Sequence, residues 1–178
     1  MVNQRTLETK AAHALVGAIA GMVATGPMTV AMILLHRRLP QQERYPLPPR
    51  EITEKLAEAT GTRDHVREPL ATAVTLAAHF GYGAATGTVF GLVPKPAGPS
   101  ALEGAGFGLL VWVASYLGLL PATGLLPSAT EHPARRNLLM IGAHLLWGAA
   151  LGWLAQLLLQ ETKPQSTALG APGKPTPR

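Results

Sequence analysis

The chain has 178 residues, one domain's worth, of which 47% are hydrophobic and only 14% charged, against about 25% charged in an ordinary soluble domain; the deficit points to lipid. The net charge of +5 comes with no basic stripe interleaved with aromatics, which removes nucleic acid as a partner and assigns the basic residues to lipid headgroups. Absence of cysteine excludes disulfides, thiolate nucleophiles and Cys-ligated zinc or iron–sulfur sites, so any metal would have to use His, Asp or Glu.

A tail over residues 1–10 precedes the first long apolar stretch, Ala11 to Leu35. The stretch outruns the 7 to 15 residues, roughly, of a signal-peptide core and stops at His36-Arg37-Arg38. A retained membrane helix is therefore expected. A polar loop over 36–69 follows and holds most of the charge. Arg44-Tyr45-Pro46-Leu47-Pro48-Pro49-Arg50 must be extended, because proline fixes φ and pushes its predecessor out of the α region. Residues 51–60 form a short helix ending at Gly61, with Glu51 and Lys55 one turn apart and Ile52 and Leu56 on an apolar face. That face rests on the membrane surface, or the helix is a solvated connector.

Further apolar stretches run from Leu70 to Val93, Gly104 to Leu126 and Leu138 to Leu159. Each matches the roughly 20 helical residues that cross a hydrocarbon core, and none contains Asp, Glu, Lys or Arg. The predicted fold is all-α: an integral membrane bundle of four transmembrane helices over 11–160, with a disordered tail over 161–178. Pro27 and Pro121 lie inside spans and are expected to kink them. Short connections make sequential helices antiparallel. Loops one and three carry nine Lys/Arg against six in the termini and loop two, which favours a cytoplasmic side for those two loops.

A ten-residue pattern, Ala-His-x-x-x-Gly-Ala-x-x-Gly, starts at Ala12, Ala78 and Ala143. It places His13 with Gly17 and Gly21, His79 with Gly83, Gly87 and (one step on) Gly91, and His144 with Gly148 and Gly152, each set along one helix face. Such faces let backbones approach, since lipid supplies no hydrophobic drive between helices. The histidines therefore point at neighbouring helices. His79 and His144 fall at similar depth, while His13 lies near the opposite surface with Glu103, at the start of the third span. His79, His144, His13 and Glu103 are the candidate polar interior.

An ionisable side chain inside a membrane is expensive unless paired or solvated. The favoured role for His79 and His144 is structural, hydrogen-bonding across helices to a carbonyl, a hydroxyl or each other. Two sharper roles remain open: proton-linked behaviour, because imidazole titrates near neutrality, and ligation of haem or a metal between the two. No catalytic motif is present: there is no Walker-type loop, no His-Glu-x-x-His and no Gly-x-Ser-x-Gly.

Pro46-Leu47-Pro48-Pro49-Arg50, Ala78-His79 and Ala143-His144-Leu145-Leu146-Trp147 resemble the YagU-like group of small bacterial inner-membrane proteins. The resemblance implies an inner (plasma) membrane location and a link to acid tolerance, with no catalytic residues to carry over. The sequence thus predicts a non-enzymatic multi-pass membrane protein that acts through helix packing, with membrane lipids and a second copy or another membrane subunit as partners. A small transporter or proton-conducting pore using His79 and His144 is the alternative, and a haem-binding redox subunit the third reading.

Overall fold

The computed structural model describes residues 4–65, 67–95 and 97–161. Over these the chain is helical, with no strand. Five helices are present rather than four: α1 (Gln4–His36), α2 (Pro48–Ala59), α3 (Leu70–Leu92), α4 (Ala101–Ala122) and α5 (Ala134–Glu161). Helix α1 starts inside the segment expected as a tail, and residues 162–178 of the expected C-terminal tail lie outside the described residues.

Three helices, α1, α4 and α5, are long and apolar enough to cross a membrane. Helix α3, expected as a fourth span, falls short of that apolarity. That helix has the length, at 23 residues, but its glycines and threonines, with His79 and Tyr82, dilute its apolar character. Outward-facing side chains on the apolar helices include Leu15, Ile19, Val23, Val30, Leu110, Leu117, Leu138 and Leu146. A small protein that turns this much contiguous hydrocarbon outward is matched to lipid rather than water.

Helices α1 and α3 pack as one pair, α4 and α5 as a second, and α1 against α5 joins them. Within each pair the glycines bring backbone onto backbone. A Cβ on Gly17 or Gly21 would fall on the carbonyl oxygens of Gly87 and Gly83, and a Cβ on Gly91 on that of His13. The second pair repeats the arrangement, Gly104 against Gly148 and Gly152, and Gly108 against the carbonyl of His144. Across the pairs, Trp147 Nε1 donates to the Gly21 carbonyl at 3.1 Å. Thr25 Oγ1 donates to the same carbonyl at 2.9 Å, so that oxygen serves α1, α5 and a side chain together.

Proline sets two helix boundaries. Pro48 and Pro49 occupy the first turn of α2, where a missing N–H costs nothing. The helix ends at Gly61, whose φ of +68° is open to glycine at little cost. In α4 the α-helical part, Ala101–Val113, widens into a π-helix over Ala114–Leu119 before the closing turn Leu120–Ala122. Pro121 follows directly, lacks an N–H and crowds the preceding turn. The Leu120 N–H reaches back five residues to the Ser115 carbonyl, so the disturbance expected at Pro121 takes the form of a widened turn.

Replacing Gly21 or Gly148 with alanine is expected to destabilise the protein by about 1–3 kcal/mol through overpacking against backbone that cannot yield. Gly106→Ala, where a Cβ meets nothing within 4 Å, should be neutral or stabilising by up to about 1 kcal/mol. Unfolding in mixed micelles, followed by circular dichroism, measures both; equal effects at the two kinds of position would refute the packing account.

Candidate functional site

The described residues line a cavity of about 310 Å³ where the C-terminal half of α1, the middle of α3, the N-terminal half of α5 and the π-helical end of α4 converge. Both histidines singled out in the sequence, His79 and His144, line it. Helix α2 roofs it: Pro49, Ile52, Thr53 and Leu56 form part of the wall. The short helix read as a surface element or connector thus turns its Ile52 side inward.

Met28, Ile52, Leu119, Leu120 and Met140 supply an apolar lining, interrupted by few polar groups. His144 is 6% exposed. Its Nδ1 donates to the Met140 carbonyl, one turn back on its own helix, at 2.8 Å. A carbonyl can only accept, so in the neutral ring Nε2 is left as an acceptor. The edge of the ring meets Tyr116, with centroids 5.9 Å apart and planes nearly perpendicular. His79 Nε2 is shut off from solvent and has no hydrogen-bond partner. Among the described residues the hydrogen bonds across helices expected of these histidines are not formed: one ring bonds within its own helix, and the other's Nε2 has no partner.

One turn along α3 from His79, Tyr82 Oη lies 2.9 Å from Ser115 Oγ and links α3 to α4. One hydroxyl proton is used in that bond, which leaves the second free to donate elsewhere. The π-helical turn carries both Ser115 and Tyr116 into the wall. Sequence reading missed this contribution from α4. The available signal was Pro121 five and six residues downstream of Tyr116 and Ser115, the hydroxyl side chains of that half of the helix.

His13 lies at the other end of the molecule. With Lys95, Gln156 and Gln160 it lines a second cavity of about 440 Å³. Lys95 caps the C-terminus of α3 there: its ammonium bonds to the Phe90 and Val93 carbonyls and sits 3.9 Å from the centre of the Phe90 ring. Burial holds the Lys95 pKa below its ordinary value, partly offset by Glu103. Glu103, expected in the polar interior, is instead exposed at the start of α4, accepting a hydrogen bond from Ser100 Oγ at 3.0 Å. Its carboxylate suits the first turn of a helix, where unpaired N–H groups favour negative charge. Among the described residues no group of three or more His, Cys, Asp or Glu is assembled as a metal site. His79 and His144 both line the first cavity, and no hydrogen-bond partner for either Nε2 is found among the described residues.

A buried arginine holds the loop beneath the cavity roof. Arg136, 5% exposed, donates to the Tyr45 carbonyl at 2.9 Å and the Pro46 carbonyl at 2.8 Å. Its guanidinium lies 3.4 Å from the centre of the Tyr45 ring. His36 Nε2 donates to the same Tyr45 carbonyl at 3.0 Å, and Tyr45 Oη contacts His132 Nδ1 at 2.7 Å. Burial raises the Tyr45 phenol above its ordinary pKa in spite of Arg136. The Tyr45 and Pro46 carbonyls, in an extended stretch, lack backbone partners there, so the arginine fork supplies them. On the far side of α2, Arg50 bridges Glu54 and Glu68. The seven glycines read as packing positions, Gly17, Gly21, Gly83, Gly87, Gly91, Gly148 and Gly152, all lie at the close approaches between helices.

No protein-family model, no curated protein and no solved structure matches this chain.

Arg136→Ala should release the loop from α5. A hydrogen bond from a charged donor contributes about 1.5–3 kcal/mol, so local opening is expected to rise by at least roughly tenfold. Limited trypsin digestion in detergent checks this: cleavage after Arg44 accelerates while cleavage after Arg63, outside the Arg136 contacts, is unchanged.

Proposed function

We propose that the chain is a non-enzymatic, four-pass membrane protein that binds a small ligand in the cavity beneath α2. In this reading α3 crosses beside α1, its polar and glycine positions turned inward, and the glycine-packed pairs are the rigid scaffold that keeps the cavity open. The observation that carries it is the His79 Nε2, closed off from water and unpartnered on the wall of a 310 Å³ apolar space. A buried polar atom with no partner costs about 1–3 kcal/mol, which a ligand can repay. A pocket of this kind, mostly apolar with a few convergent polar groups, is the usual form of a small-molecule site. The likeness to the YagU-like group supports placement in a bacterial inner membrane and a tie to acid tolerance.

Span number is the part most directly testable. Four spans put both termini on one side; three, with α3 lying outside the bilayer core, put them on opposite sides. Reporter fusions at each end are expected to give the same signal, in protein that stays with the membrane after an alkaline carbonate wash. Opposite signals would remove the four-pass reading.

A small transporter or proton-conducting pore is the second reading, favoured by the two cavities at opposite ends of the molecule. A row of rings connects them: Phe90, in the wall of the second, lies 5.3 Å from Phe107, which lies 6.2 Å from Trp147 in the wall of the first. On this reading, proton uptake by proteoliposomes should fall in His79→Ala and His144→Ala; unchanged uptake would sink it.

A further inference from the structure

We propose that the ligand of the cavity beneath α2 is a lipid-soluble phenol, a flat aromatic molecule of about two fused rings carrying one hydroxyl. The inference rests on the reading of that cavity as a ligand site, and three features define the chemistry. Size is the first: an apolar cavity of about 150 Å³ accommodates benzene, and this one, at 310 Å³, takes about twice that. Wall character is the second. Tyr82, Tyr116 and Trp147 line the cavity together with the two imidazoles, and aromatic walls favour stacked or edge-on rings over a flexible chain.

Hydrogen-bond inventory is the third. His144 has spent Nδ1 on the Met140 carbonyl, so its Nε2 accepts in the neutral ring, whereas His79 Nε2 is unpartnered and accepts or donates according to its tautomer. A hydroxyl both donates and accepts, and therefore answers either state. A hydrocarbon answers neither, and an ether or ketone leaves the His144 lone pair unmet. A charged head group would enter a space that holds no counter-ion among its lining residues.

Access points to the bilayer. Helices α3 and α4 face each other with little direct packing, and the lining residues Tyr82 and Leu119, one on each helix, are 45% and 57% exposed. The entrance is assigned to the gap between them, on the flank of the helices. A ligand entering there arrives from hydrocarbon.

The test uses the full chain in lipid nanodiscs and three probes: 2-naphthol, naphthalene and 2-methoxynaphthalene, with binding read from quenching of tryptophan fluorescence. Saturable binding of 2-naphthol, at least tenfold tighter than either of the others, is expected. Ala78→Phe, which fills the wall beside His79, should abolish it with helix content unchanged, and His79→Leu with His144→Leu should erase the preference for the hydroxyl. Saturable binding of all three probes with equal affinity would overturn the phenol while leaving a ligand site. No saturable binding of any probe to folded protein, or naphthol binding untouched by Ala78→Phe, would overturn both. The probe series on the native chain decides the matter even where a variant fails to fold.

Discussion

Backbone lying directly on backbone between α1 and α3, and again between α4 and α5, is the constraint from which the rest follows. In lipid, helices gain nothing from hiding hydrocarbon, so they associate only where surfaces fit closely. Glycine at every fourth position removes the side chains that would hold two helices apart, and here the missing Cβ positions coincide with carbonyl oxygens of the partner helix. Two such seams, tied by the Trp147 indole to the Gly21 carbonyl, fix four long helices. The cavity is what remains where the seams end, towards α2, and larger side chains hold the helices further apart.

The seams were legible in the amino-acid pattern and the cavity only partly so. Spacing by four is a local property, readable from Gly17 and Gly21 or Gly148 and Gly152 without knowing the partner helix. The pairing of His79 with His144 was readable too, because equal depth in helices of the same direction is simple arithmetic on rise per residue. What each imidazole does was not. Bonding of His144 to its own helix, and the isolation of His79 Nε2, depend on side-chain directions that spacing does not determine.

Other elements escaped for different reasons. Arg136 lies two residues before the expected start of the last apolar stretch; the helix begins earlier, at Ala134, and so buries a charge that a hydropathy boundary assigns to a loop. Tyr82 and Ser115 are distant in sequence and meet only once α3 and α4 are in place. Helix α3 has no charge yet is less apolar than the other long helices, because its glycines and threonines contribute little hydrocarbon. Glu103 has an apolar neighbourhood in sequence, whereas its place in the first turn of α4, beside the capping Ser100, leaves it outside.

The widened turn of α4 divides one rod into two lengths with separate duties. Gly104 and Gly108 lie in the regular length and serve cohesion with α5, whereas Ser115 and Tyr116 lie within the wide length and belong to the recess. Side chains of the recess can therefore vary without touching the seam.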